Sequence, residues 1–331
     1  MPEPLVSVKM ITYNHAPYIA QAIEGVLMQK TNFPVEIVIG EDCSTDGTRE
    51  IVSEYQKKYP EIIRVITSEE NVGMKKNGYR TIKACRGKYI AFCEGDDYWH
   101  HPHKLQKQAD YLENHPECGL VYSSYDVYHV GSKKKINDFI KHRKGEIPKN
   151  PVISDVVVGK AGILTCTVMV RRILYEQIIE SDPCLHQSDQ FLMGDIQIWA
   201  EMATMAHVHY IPESFSTHNI LDESASRSKD IKKRLRFGIS VAELLLYLDD
   251  KYNLPPSIRN KHEEYWCNSL LRLAFYTKNA KRADEVRGKI RTFTWKQWLL
   301  YYGAKNQAIY FVCRTAALSR NLFGKEYDQW R

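Results

Sequence analysis

Five short apolar runs alternate with helix-spaced segments over the first 125 residues, and this alternation constrains the fold more than any other feature of the chain. Val6–Ile11 reads as a first strand and stops at Thr12-Tyr13-Asn14, before a helix over roughly Pro17 to Met28. Val35–Ile39 is a β-branched run of the kind found in buried parallel strands. It ends in the turn-rich Gly40–Gly47, and a helix follows over Thr48 to Lys58, capped by Asp46 or Thr45. Ile62–Thr67 is a third strand, followed by a loop (Glu69 to Gly73) and a helix near Lys76 to Cys85. Lys88–Cys93 is a fourth strand; the helix Pro102 to Asn114 and the strand Gly119 to Tyr125 complete the pattern. Strands joined through helices by short connections form a mostly parallel sheet flanked by helices, an α/β fold. Such sheets bind ligands at the carboxyl ends of their strands. The polar clusters after Ile11, Ile39 and Cys93 should therefore share one rim.

Beyond this region the pattern loosens. Residues 129 to 160 carry basic runs, Lys133–Lys135 and Lys141–Lys144, without clear periodicity, and read as a surface excursion. The strand pattern resumes at Thr165–Val170, a helix begins near Asp195, and His207–Ile211 is a last short strand. From Ile231 the pattern is helical: Leu235 to Leu248, Ile258 to Thr277, Ala280 to Ile290, Trp295 to Tyr302 and Gln307 to Leu318.

Composition excludes several classes. Hydrophobic residues make up 44% of the 331 and charged residues 26%, an ordinary globular balance that argues against disorder. Eight cysteines are scattered without a CxxC pair, as free thiols in a reducing compartment would be. Neither a secretory leader nor a run of about 18 apolar residues is visible. Charge is uneven: residues 225–331 hold 22 Lys+Arg against 10 Asp+Glu, a net of +12, and the first 224 hold 24 against 30, a net of −6. A basic last third suits an anionic partner: a phospholipid surface, a lipid-linked diphosphate or nucleic acid.

The acidic turn Glu94-Gly95-Asp96-Asp97 places three carboxylates just past a strand end. Carboxylates this close repel one another unless a cation neutralises them, and Mg2+ and Mn2+ bind through one or two carboxylates plus substrate phosphates. The competing reading is a solvated turn that caps the next helix. Asp42, on the same rim, suits a base N–H or a ribose hydroxyl, or an Asx-turn. Thr12, Tyr13 and Asn14 close the first strand, where an aromatic beside an amide could hold a planar base. Lys75, Lys76 and Arg80 could neutralise a diphosphate or could line a solvated helix face. Asp195 opens a helix, as a cap or as a general base. His207 and His218 are possible ligands, with a structural role as the preferred reading.

Together these stretches resemble the large family 2 of inverting glycosyltransferases, of bacterial non-processive type. Val6–Asn14, Gly40–Thr48, Asn71–Gly73 and Arg86–Trp99 come in that family's order and spacing. The resemblance implies a GT-A fold over residues 1–226 and leaves 227–331 as a basic helical region for acceptor, membrane-surface or dimer contacts. It implies transfer of one sugar from a nucleotide-diphosphate sugar, a UDP-sugar foremost, to a saccharide or lipid-linked saccharide hydroxyl in surface-polysaccharide or glycan assembly. It carries Asp42 and Tyr13 over as nucleotide contacts, Asp96 and Asp97 as the pair holding ribose and a Mn2+ or Mg2+ ion, and Asp195 as catalytic base. Glu94 departs from the usual aspartate, Gly194 lacks the usual preceding acid, and the usual Ala-Arg-Asn near Asn77 is absent, which shifts the diphosphate to Lys75, Lys76 or Arg80. The Gln-x-x-Arg-Trp motif and the membrane helices of processive members are absent, and no nucleic-acid partner is implied. The expected location is cytoplasmic or peripheral on the inner face of the plasma membrane. Two alternatives stand beside this reading: a nucleotidyltransferase or sugar-nucleotide synthase, disfavoured by the lack of glycine in Thr12–Pro17, and a non-catalytic carbohydrate-binding module.

Overall fold

A computed structural model describes residues 3–143, 145–222, 228–290 and 292–315. Two compact units are present: Met1–Ser188 with Gly194–Leu221, and Asp189–Met193 with Asp222–Arg331. The 226/227 division, Lys144, Arg291 and the last residues of the helix expected over Gln307–Leu318 lie outside the described residues.

The first unit is built on one sheet. Its strands are β1 (Val6–Thr12), β2 (Val35–Glu41), β3 (Ile63–Ile66), β4 (Tyr89–Phe92), β5 (Tyr98–Trp99), β6 (Cys118–His129), β7 (Lys134–Ile136), β8 (Met169–Arg171) and β9 (His207–Ile220). The order is β3-β2-β1-β4-β8-β6-β9-β5, with β7 on β6. β3, β2, β1 and β4 run parallel, in register Val6↔Val35, Ile37↔Ile63 and Val6↔Tyr89. β8 is antiparallel to β4 and to β6, and β6 and β9 are parallel again. Apolar residues on one face of these strands, Val6, Val8, Met10, Ile37, Ile39 and Ala91, are fully buried. They pack with Ile19 and Ile23 of α1 (Ile19–Leu27) and with Leu105 and Leu112 of α4 (Lys104–Asn114) in one core. The other two helices of the parallel half are α2 (Thr48–Lys58) and α3 (Met74–Ala84). A close approach explains Gly40: a Cβ there would lie 2.0 Å from Thr81 Oγ1 and 2.7 Å from Asn77 Oδ1, so only glycine lets α3 rest on β2.

Two strands run past their sequence patterns. β9 continues to Ile220 rather than Ile211, and β6 to His129 rather than Tyr125. Their polar residues, among them Ser123, Ser124, Ser216 and Thr217, are buried, and register shifts at Ser123–Tyr125 break the alternation by which strands are recognised. The region 129–160 is more ordered than its composition suggests: it holds β7, a 3-10 turn at Phe139–His142 and α5 (Ile153–Val157). The strand expected at Thr165–Val170 begins only at Met169, because Thr165–Thr167 close into a 3-10 turn. Three more helices complete this unit: α6 (Arg172–Ser181), α7 (Pro183–His186) and α8 (Ile196–Met205).

The second unit is helical: α9 (Ile231–Lys251), α10 (Pro256–Thr277), α11 (Ala280–Arg287), α12 (Trp295–Lys305) and α13 (Gln307–Thr315). Asp230 caps α9 by accepting from Lys232 N–H, and Thr294 with Gln297 forms a reciprocal capping box on α12. Leu271, Phe275, Ala283, Val286, Leu300 and Tyr310 share its core. Among the described residues no helix is long and apolar enough to cross a membrane.

Candidate functional site

The carboxyl end of β1 is the centre of the site. Thr12 accepts from Asp42 N–H at 3.1 Å on the β2 side, and Gly95 N–H donates to Ile11 O at 3.1 Å on the β4 side. A Cβ on Gly95 would lie 2.7 Å from Thr12 Oγ1 and 2.9 Å from His15 Nδ1, so the acidic turn folds directly onto the strand end. The three polar clusters therefore do share one rim. Tyr13 stands 44% exposed there. Asn14 takes a left-handed conformation (φ 55°) and accepts Thr45 N–H at 2.9 Å, while its own N–H donates to Ser44 Oγ. Asn14 thus ties the β1 and β2 loops together.

Asp42 is buried, and its carboxylate accepts Val72 N–H at 3.0 Å and Gly73 N–H at 2.9 Å. It shapes the loop into α3, and a carboxylate with about four lone-pair positions keeps capacity for one more donor. Arg80 Nε donates to Asn77 Oδ1, Nη1 to Thr67 O and Nη2 to Glu41 O, and Nη2 lies 3.5 Å from Asp42 Oδ1. The guanidinium thus clamps the ends of two strands while its charge stands beside Asp42. Lys75 Nζ donates to Ser188 O at 2.7 Å, and Lys76 is exposed at the start of α3.

At the acidic turn, Asp97 accepts Asn219 N–H at 2.9 Å and His218 Nδ1–H at 3.0 Å, both from β9. Asn219 Nδ2 donates to Asp96 O at 2.6 Å. Burial, then Asp97 and then Asp96, push the Glu94 carboxyl up to about 8. Burial and Asp97 likewise raise Asp96, against the opposing pull of His15 and His218. Thr12 Oγ1, His15 Nδ1, Glu94 Oε2 and Asn219 Oδ1 are buried without a hydrogen-bond partner, and all four belong to this turn or its neighbours. Buried polar atoms are normally satisfied, so such a concentration fits a polar ligand or ion. Among the described residues no group of three or more His, Cys, Asp or Glu side chains is placed to hold a metal ion. Mg2+ and Mn2+ need only one or two protein carboxylates, because water and substrate phosphate complete their shell.

Asp195 is joined to this turn through two consecutive residues. Thr165 Oγ1 donates to Asp195 Oδ2 at 2.9 Å, and Cys166 O accepts Trp99 Nε1–H at 2.9 Å, two residues beyond Asp97. Asp195 Oδ1 accepts Ile196 N–H, so the side chain caps α8 as well. Trp199 of α8 packs edge-on against Phe92 at the end of β4, ring centroids 5.4 Å apart. Two residues that the sequence did not single out therefore lie here, His15 and Thr165, together with His218, for which a structural role is the preferred reading of the sequence. His207, by contrast, is exposed.

Residues 7–175 match the model of glycosyl transferase family 2, half of the chain. The chain belongs to glycosyl transferase family 2. Its N-terminal unit is the family 2 glycosyltransferase domain, with the curled, mostly parallel sheet described above. The chain is 43% identical over 129 residues to the uncharacterized protein Rv1520 of Mycobacterium tuberculosis, an alignment that covers 39% of this chain and 37% of that protein. It therefore matches well under half the length of that relative. Two solved structures share the fold. Staphylococcus aureus TarS 1-349 in complex with UDP-GlcNAc has a TM-score of 0.54 at 18% identity, over 98% of this chain and 89% of that one. The mannosyltransferase PcManGT of Pyrobaculum calidifontis, in complex with GDP-Man and Mn2+, has a TM-score of 0.54 at 17% identity, over 98% and 88%. At such identities the likeness is one of fold alone.

Proposed function

We propose that this chain transfers a single glycosyl residue from a nucleotide-diphosphate sugar to an acceptor hydroxyl with inversion at the anomeric carbon. The observation that carries the reading is the Thr165–Cys166 link, which ties the Asp195 carboxylate to an acidic turn rich in unsatisfied polar atoms. A base and a cation-binding turn held to one short segment are what a displacement at a phosphorylated carbon requires.

Tyr13 offers its exposed ring to the donor base, and Asp42 keeps acceptor capacity for a base N–H. Lys75 and Lys76, at the start of α3, supply positive charge for the diphosphate. A Mn2+ or Mg2+ ion held by Asp97 and Asp96, with His218 alongside, supplies Lewis-acid stabilisation of the departing diphosphate. Asp195 accepts the proton of the acceptor hydroxyl as that oxygen bonds to the anomeric carbon and the bond to the diphosphate oxygen breaks. Thr165 and the first N–H of α8 fix the orientation of Asp195 by one hydrogen bond to each carboxylate oxygen.

The donor is a UDP-sugar and the acceptor a saccharide, free or lipid-linked. The TarS and PcManGT complexes, with UDP-GlcNAc and with GDP-Man and Mn2+, support a nucleotide-sugar donor and a divalent ion. Calorimetry of UDP-, GDP- and dTDP-sugars, each with Mn2+ and with chelator, tests this. Tight, metal-dependent binding of one donor is expected, and the absence of binding by every nucleotide-sugar would sink the reading. Proton NMR of the product reports whether the anomeric configuration inverts.

A further inference from the structure

We propose that the α12–α13 face of the helical unit docks on an anionic lipid surface. On α12, Trp295, Trp298 and Tyr302 stand at spacings of three and four and so form one stripe. The opposite side, with Leu300 and Ala304, is buried in the core shared with Phe275. Trp295 is 57% exposed and Tyr302 48%. On α13, Phe311 and Val312 are 51% and 64% exposed, whereas Tyr310 and Cys313 are buried. Large apolar side chains on view along two successive helices mark an interaction surface rather than a scatter of tolerated residues.

Charge says what covers it. Residues 278–315 hold nine Lys+Arg and two Asp+Glu, a net of +7. The cations sit beside the rings: Lys296 Nζ lies 5.7 Å from the Trp295 ring, Lys278 Nζ 5.5 Å from that of Phe311, and the Arg287 guanidinium 5.1 Å from that of Trp298. Tryptophan and tyrosine prefer the boundary between headgroups and acyl chains, where neighbouring Lys and Arg reach lipid phosphates. A second copy of the chain fits less well, because a two-fold contact through this face would set one strongly basic segment against another. Single-stranded nucleic acid fits less well too. Base stacking needs open ring faces, and Trp298 and Tyr302 stack on each other, centroids 5.3 Å apart at 17°.

The test uses the whole purified chain and vesicles of phosphatidylcholine with or without phosphatidylglycerol. Sedimentation with the anionic vesicles at low ionic strength is expected, with release when salt is raised to about 1 M. Trp295→Ser with Tyr302→Ser should weaken partition about tenfold, and Lys289→Gln with Lys296→Gln about fivefold per charge removed. All four residues are exposed, and unchanged circular dichroism and melting would confirm folded variants. Failure of the parent chain to sediment with anionic vesicles at low salt overturns the proposal, as does equal binding to phosphatidylcholine alone or parent-like binding by the aromatic variant. Dimerisation, or binding of a single-stranded oligonucleotide, that the aromatic substitutions abolish would also overturn it and assign the face to that partner.

Discussion

Thr165 Oγ1 donates to Asp195 Oδ2 at 2.9 Å across thirty residues of sequence, and the next residue accepts the indole N–H of Trp99. The hydroxyl holds one carboxylate oxygen while the first N–H of α8 holds the other. The side chain that opens the helix is thereby held at both carboxylate oxygens.

If Asp195 is the base, Asp195→Asn should cut turnover by roughly 10²–10⁴-fold and leave donor affinity intact. Near-normal transfer by that variant would remove Asp195 from the role. Thr165→Val should act more mildly. The hydroxyl orients the carboxylate by a hydrogen bond worth about 1–1.5 kcal/mol, so its loss should lower kcat by about tenfold with donor affinity little changed. Thr165→Ser should restore kcat. A kcat equal in parent and valine variant would show that Thr165 only packs.

Asp97 and His218 should act together on metal-dependent donor binding. Removing a partner of a metal-binding carboxylate commonly costs 10–100-fold in metal affinity, so His218→Ala should raise the Mn2+ concentration needed for donor binding by about that factor. Asp97→Ala should abolish the metal effect altogether. Nucleotide-sugar affinity equal with Mn2+ and with chelator, in the parent chain, would contradict both expectations.

Asp42 has a structural task that a pure nucleotide contact would not have. Asp42→Asn turns an amide donor toward Val72 N–H or Gly73 N–H and should destabilise the fold by about 1–3 kcal/mol. For a domain of this size that is a fall in Tm of roughly 2–4 °C per kcal/mol. A melting curve unchanged from the parent would mean that the Val72–Gly73 loop does not depend on this carboxylate.

Lys104 gives a pH dependence of known sign. It is fully buried, its ammonium donates to Gln108 Oε1 at 2.7 Å and lies 4.2 Å from the Trp99 ring. Burial lowers its pKa to about 7 from 10.5. Below pH 7 the group is charged in both folded and unfolded chains and the burial cost is constant. Between about 7 and 10.5 the unfolded chain holds more protons, so stability rises with pH, by at most about 1.4 kcal/mol per unit. Lys104→Met lacks this dependence and should melt above the parent at pH 6.5, with the gap closing by pH 9. A gap of equal size at both values would mean that Lys104 stays charged in the fold.

Local information was enough for much of this molecule. Apolar runs such as Val35–Ile39, each followed by turn residues and a helix-spaced segment, define a parallel α/β unit, because burial on both faces demands such runs and short connections leave few topologies. The same reading marked the ends of β1, β2 and β4 as one rim and placed the start of α8 at Asp195. Tertiary structure alone decided what those side chains touch. His218 lies 121 residues from Asp97, and no periodicity around it, where the buried neighbours Ser216, Thr217 and Asn219 are polar, signals that its ring will meet that carboxylate. Arg80 sits on α3, where a charge reads as solvated, yet two carbonyl oxygens from neighbouring segments, with the Asn77 amide one turn back on α3, draw its guanidinium inward. Periodicity records which face of an element is buried; which polar partner waits there depends on how distant elements pack, and that is set by the whole fold.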